Sequence, residues 1–88
     1  MFIIEDSLHS ETIVESESYE KIIQEIKRIS IIPFETEPNV PPCQNHENCK
    51  REYDIIEYNT STDPWVEIKR IPIFSISKNE IKWYNQKL

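Results

Sequence analysis

The sequence predicts an α+β domain in which one amphipathic helix, at about residues 18–30, packs on a small antiparallel sheet. Two observations indicate this class. Isoleucines recur at helical spacing across residues 18–30. Two runs rich in aromatic and β-branched residues, joined by a polar turn, predict a β-hairpin over residues 53–74, around which the sheet is built. We assign all 88 residues, 1–88, to this single small domain.

The first residues predict strands and carry most of the acidic charge. Met1 to Ile4 is an apolar run compatible with a strand, and Thr12 to Val14 fits either a short strand or the approach to a helix. Residues 1–20 contain six acidic residues and no Lys or Arg. The six negative charges of this segment match the formal net charge of the whole chain, −6. Such a segment repels nucleic acid and attracts basic surfaces. We therefore expect contact with a basic protein partner, not direct nucleic-acid binding, through Glu5, Asp6, Glu11, Glu15 and Glu17. The alternative is a solvated, solubilising edge.

The helix is indicated by one apolar stripe, formed by Tyr19, Ile22, Ile23, Ile26 and Ile29. Ser18 or Ser16 is suited to cap its first turn. The helix should end by about Ser30, because Pro33 disfavours helical geometry in the residue before it. Ile31 to Phe34 is apolar enough to continue as a strand.

A Pro-rich loop over residues 38–50 contains both cysteines and one of the two histidines. Cys43, His46 and Cys49 place three zinc-type ligands within seven residues, and His9, the other histidine, would complete a Cys2His2 site if it folds over the loop. A structural zinc would add its binding free energy to the stability of a small core. The alternatives are two reduced thiols, a Cys43–Cys49 disulfide, or a cysteine nucleophile activated by histidine.

The hairpin pattern shifts by one residue in its second arm. Val66 and Ile68 share one face, whereas Ile71 and Ile73 have the opposite parity, so a β-bulge is predicted near Lys69 and Arg70. Pro72 cannot donate a ladder hydrogen bond, which places this part of the strand at a sheet edge or at the bulge itself.

Asp54 and the Glu67-Ile68-Lys69 run resemble the D…ExK pattern of the PD-(D/E)xK nuclease superfamily. The resemblance implies that Asp54 and Glu67 would hold a divalent metal and that Lys69 would assist the attacking water. It covers about 16 residues. The alternative interpretation sets Tyr58 opposite Trp65, so that Asp54 lies opposite Lys69 as a cross-strand ion pair on the solvent side.

The last residues fit two elements. Ser77 to Glu80 has the form of a capping box for a helix. The alternation of Phe74 to Ser77 and of Ile81 to Trp83 around Lys78-Asn79 instead predicts a hairpin, and we favour the hairpin.

These observations favour a small acidic, cytoplasmic, non-enzymatic protein-binding module. The chain has no glycine, which excludes glycine-rich phosphate loops and shifts left-handed backbone positions to Asn or Asp. No segment has the ~20 apolar residues of a membrane span. In size and charge the chain resembles phage and mobile-element inhibitors of host nucleic-acid-binding or defence proteins. The alternatives are a zinc-stabilised module of a larger complex and a minimal metal-dependent nuclease.

Overall fold

The computed structural model describes residues 1–44 and 48–85. Its elements are β1 (Phe2–Asp6), β2 (Glu11–Ser16), α1 (Tyr19–Ser30), β3 (Lys50–Asn59), β4 (Val66–Ser77) and β5 (Ile81–Trp83). The strands form one antiparallel sheet in the order β2-β1-β3-β4-β5, and α1 packs on one face of it. This confirms the predicted α+β class. Within the described ranges no helix has the length and apolar content needed to cross a membrane.

The core lies between α1 and the centre of the sheet. Ile22, Ile26 and Ile29 are fully buried, as the apolar stripe of the sequence predicts. They pack against side chains of β1, β3 and β4, namely Ile4, Tyr53, Ile55, Ile73, Phe74 and Ile76. Each isoleucine removed from water in this way stabilises the fold by roughly 1.5–3 kcal/mol.

Side chains cap both ends of α1. The Ser18 hydroxyl accepts a hydrogen bond from the Lys21 N–H at 3.2 Å, so Ser18 is the N-cap. After the helix, Ile31 to Phe34 form a turn, and the predicted strand there is wrong. The buried Asn39 side chain explains the turn, because its Nδ2 donates to the Ile29 and Ile32 carbonyls at 3.2 and 2.7 Å. A strand over this segment would lose the bond to the Ile32 carbonyl.

The β3–β4 hairpin contains two β-bulges. Tyr58 lies opposite Glu67 while Glu57 lies opposite Lys69, which leaves Ile68 as an extra residue and confirms the bulge predicted near Lys69. A second irregularity leaves Ile73 extra between the partners of Asp54 and Tyr53. Among the described residues, β5 pairs only with residues 74–76 of β4. Pro72 precedes this paired stretch, so it lies where β4 is the edge strand of the sheet.

Two loop features bear on the sequence predictions. The C-terminal hairpin is confirmed, since Ser77 donates its N–H to the Glu80 carbonyl at 2.9 Å between β4 and β5. The assignment of left-handed positions to Asn or Asp is wrong: the described non-glycine residues with positive φ are Ser10, at 52°, and Glu35, at 67°. Both lie in turns, where the direction of the chain requires this backbone conformation despite its cost of roughly 1–2 kcal/mol.

Candidate metal centre

His9 is positioned by the tight turn that joins β1 to β2. The Asp6 carboxylate, at the end of β1, accepts the Leu8 N–H through Oδ1 at 3.0 Å. The Ser7 N–H donates to the Glu52 carbonyl at 2.8 Å and ties the turn to β3. The His9 ring is thereby held beside the segment that precedes β3.

The two cysteines flank residues 44–48, immediately before β3. Cys49 is the residue before β3, and Cys43 follows the Pro-rich segment. The Val40 carbonyl accepts a hydrogen bond from the Arg51 guanidinium at 2.6 Å, which fixes that segment against β3. Cys43 and Cys49 form a disulfide, with their Cα atoms 6.3 Å apart.

His9 and the two cysteines meet at one point although 34 and 40 residues separate them along the chain. His9 Nε2 is 3.0 Å from Cys43 Sγ and 3.3 Å from Cys49 Sγ. All three potential ligand atoms lie within 4.8 Å of one another. The spacing is close enough for a single metal ion to contact all three once the sulfurs are reduced.

Asp6 orients the histidine for this role. Its Oδ2 lies 2.5 Å from His9 Nδ1, and its side chain is inaccessible to solvent. An ionised carboxylate can only accept, so it holds the ring proton on Nδ1 and leaves the Nε2 lone pair directed at the sulfurs. Carboxylate–histidine pairs of this kind are the usual outer support of metal-binding histidines.

The Asp6 carboxylate is kept ionised by a buried network. Burial acts to raise the pKa of Asp6, but hydrogen bonds from His9, Arg51 and the Glu52 N–H hold it below its ordinary value. Arg51 contacts Asp6 Oδ2 at 3.0 Å and Glu11 Oε2 at 2.7 Å. Burial alone would lower the pKa of Arg51, and its bonds to Glu11 and Asp6 raise it instead. Charged partners thus compensate both buried charges.

The structure brings together three of the four predicted metal ligands. His9, Cys43 and Cys49 meet as predicted from the sequence, and His46 lies outside the described residues. A disulfide sulfur carries no thiolate charge, so the site as described offers only the imidazole. Reduction would convert it into a Cys2His donor set of the kind that binds zinc.

The predicted partner-binding acids have different environments. Asp6 is buried and belongs to the network around His9, so it presents no surface to a partner. Glu5 pairs with Arg70 at 2.9 Å, and Glu11 pairs with Arg51. Glu15 and Glu17 are exposed and remain accessible. Of the two ion-paired acids, Glu11 keeps a side chain that is 44% exposed, whereas that of Glu5 is mostly covered.

The residues of the D…ExK resemblance do not converge on one site. Asp54 lies opposite Pro72, not Lys69 as the simple hairpin register predicted. Arg70 contacts both Asp54 Oδ2 and Glu67 Oε1 at 2.9 Å, so a guanidinium occupies the place between these carboxylates. Lys69 lies opposite Glu57. Glu57 is three residues from Asp54 on β3, and side chains alternate between the two faces of a strand, so the Glu57–Lys69 pair lies on the opposite face of the sheet from Asp54.

Two buried polar residues were not predicted from the sequence: Arg51, which bonds to Asp6 beside the site, and Asn39, which bonds to Tyr53 and to the end of α1. Strand parity was a usable signal for Arg51, because it stands two residues before the buried Tyr53 and so shares the helix-facing side of β3. Asn39 had no such signal, since its position depends on the path of the Pro-rich segment. No protein-family model, curated protein or solved structure matches this chain.

Proposed function

We propose that the reduced protein binds one zinc ion through His9, Cys43 and Cys49, and that this ion stabilises a small non-enzymatic module. The observation that carries the proposal is the approach of His9 Nε2 to both sulfurs, at 3.0 and 3.3 Å. Two thiolates and one imidazole suit zinc better than the hard cations Mg²⁺ and Ca²⁺, which prefer oxygen ligands. Asp6 supports the histidine from behind.

The metal would act on the fold by joining distant segments. His9 belongs to the β1–β2 turn, whereas the cysteines flank the loop that leads into β3. Because these ligands are not assembled in an unfolded chain, the binding free energy of the ion becomes folding free energy. His46 is the predicted fourth ligand, and its contribution is tested separately.

The test is metal content and thermal stability of the protein purified under reducing conditions. We expect one zinc per chain, and Cys43→Ser and Cys49→Ser should each lose it and lower Tm. His46→Ala should weaken zinc binding if His46 is the fourth ligand and leave it unchanged if water occupies that position. Gln44→Ala, at an exposed position beside Cys43, is the matched control. Reduced protein that contains no metal and melts identically with and without chelator would refute the proposal.

Protein binding is the second candidate function, and the exposure of Glu15 and Glu17 supports it. They lie together where β2 leads into α1, away from the ion pairs of Glu5 and Glu11. A partner with a basic surface would associate faster at low salt. After the partner has been identified by crosslinking, Glu15→Lys with Glu17→Lys should slow association and leave Tm unchanged. Unaltered association kinetics at low salt would eliminate this surface.

A further inference from the structure

We propose that zinc binding is controlled by oxidation, because the zinc site and the Cys43–Cys49 disulfide use the same two sulfurs and exclude one another. This inference rests on the proposed function and adds its regulation. In the oxidised state the sulfurs are bonded to each other beside His9. In the reduced state the same atoms are free to hold the ion.

The backbone suits both states without rearrangement. The Cα atoms of Cys43 and Cys49 are 6.3 Å apart, inside the range of about 4.4–6.8 Å that disulfides span. Two sulfurs on a tetrahedral zinc, each about 2.3 Å from the ion, lie about 3.8 Å apart. A small rotation of the two side chains therefore interconverts the states, while Asp6 keeps His9 in place.

A small oxidant can reach the sulfurs from solvent. A cleft of about 530 Å³ opens on the pair. In addition to the three ligands it is lined by Leu8, Asn48, Lys50 and Ser77. Cys49 is 8% exposed, whereas Cys43 is only partly buried. Cys43 is accordingly the sulfur that an incoming reagent meets first.

The oxidant is a low-molecular-weight disulfide, which oxidises the two thiolates in two exchange steps. The Cys43 thiolate attacks one sulfur of the small disulfide, forming a mixed disulfide and releasing one small thiolate. The Cys49 thiolate then attacks Cys43 Sγ, which closes the protein disulfide and releases the second small thiolate. Two electrons pass from the protein to the reagent. The ion leaves because both of its thiolate ligands have been consumed.

Each state joins the ends of the same loop, so the fold is held in both. The disulfide links Cys43 directly to Cys49, and the zinc links the same residues through the ion and adds His9. Only the reduced, metal-free protein lacks both links. Stability should therefore be lowest in that state.

The experiment equilibrates the protein in glutathione redox buffers at several free zinc concentrations, without oxygen. Thiol trapping and mass measurement give the disulfide fraction, and a chromophoric indicator gives released zinc. Above the zinc Kd, each tenfold rise in free zinc should lower the apparent equilibrium constant for oxidation tenfold, because zinc binds only the reduced form. His9→Ala should shift the onset of this dependence to higher zinc, and Asn48→Ala should not.

The outcomes separate the two proposals. Reduced protein that binds no zinc at any concentration overturns the proposed function and this inference together. Reduced protein that binds zinc and retains it after glutathione disulfide has fully oxidised Cys43 and Cys49 overturns the inference alone. As a second variant, Cys49→Ser already lacks one thiolate ligand, and its reaction with glutathione disulfide stops at the mixed disulfide on Cys43. The extent of this reaction should therefore not depend on free zinc. If free zinc suppresses oxidation of this variant as strongly as oxidation of the unmutated protein, the inference is also overturned.

Discussion

The hydroxyl of Tyr53 is expected to contribute measurably to stability through its hydrogen bond to the buried Asn39 side chain. Tyr53 is 1% exposed, and its hydroxyl donates to Asn39 Oδ1 at 2.7 Å. Asn39 in turn donates to the carbonyls of Ile29 and Ile32 at the end of α1. Tyr53→Phe removes the hydroxyl but keeps the ring, which packs against Phe74 with centroids 5.1 Å apart.

The expected cost follows from what the substitution leaves behind. Asn39 is fully buried, so its Oδ1 would lose a partner and gain no water in exchange. An unsatisfied buried acceptor costs about 1–3 kcal/mol. For a domain of this size, each kcal/mol lowers Tm by roughly 4–8 °C. Chemical denaturation followed by tryptophan fluorescence measures the difference in unfolding free energy.

The same substitution should alter the alkaline limb of the stability curve. Burial raises the pKa of Tyr53 above its ordinary value of 10.0. Above about pH 10 the unfolded chain therefore releases this proton while the folded chain keeps it, and stability falls by up to ~1.4 kcal/mol per pH unit. The phenylalanine variant lacks this proton, so its stability should fall less steeply over that range.

Tyr19→Phe is the matched control, because Tyr19 is 43% exposed. Removing its hydroxyl should change stability by less than about 0.5 kcal/mol. If Tyr53→Phe is as stable as the control at neutral pH, and loses stability with the same slope above about pH 10, then the buried hydroxyl–amide bond does not contribute as described.

Three further predictions concern the charged and sulfur groups. Asp6→Asn should destabilise the protein by about 1.5–3 kcal/mol in denaturant titration, because it removes one of the two carboxylates bonded to buried Arg51 and leaves only Glu11; an effect below about 1 kcal/mol would contradict the network. Reduction in the presence of chelator should cost about 2 kcal/mol, the closure entropy of the short loop between Cys43 and Cys49, and an unchanged melting curve would contradict this. Arg70→Met should destabilise the protein more at about pH 7 than at about pH 4. Burial raises the pKa of Asp54, and Arg70 opposes that rise. Without Arg70 the buried carboxylate has lost its cation at about pH 7, whereas at about pH 4 it can take up a proton and become neutral. A deficit that is constant across this pH range would show that Arg70 acts through packing instead.

Local sequence patterns were sufficient to predict the elements that are strongly amphipathic or are stabilised by local contacts. The isoleucine stripe predicted α1, and alternation predicted the C-terminal hairpin, because each pattern reports which face meets the core. The convergence of His9 on Cys43 and Cys49 was predicted because these residues share a ligand chemistry. The strand over Ile31 to Phe34 was wrong because β propensity is a weak preference, and a distant side chain, Asn39, overrides it.

Register was the harder problem. Pairing Tyr58 with Trp65 places the loop at residues 59–64, whereas the structure pairs Asn59 with Val66, sets Tyr58 opposite Glu67 and inserts Ile68 as a bulge. Together these shifts move the partner of Asp54 by three residues, and an odd shift exchanges the two faces of a strand. The bulge was visible in the parity of the sequence, but the position of the loop depends on how Asn59 and the residues after it close the turn.

The strand order has a consequence for the protein as it is made on the ribosome. β1 lies between β2 and β3, and the buried face of α1 packs on side chains of β3 and β4. When α1 leaves the exit tunnel, the strands that complete its core are still inside the tunnel or not yet synthesised. Roughly 50 residues separate the end of α1 from the end of β4, and they follow in about 2.5–10 s at ~5–20 residues per second. During that interval Ile22, Ile26 and Ile29 have only the β1–β2 hairpin to cover them, so this apolar helix face is the segment of the nascent chain that a ribosome-associated chaperone would encounter.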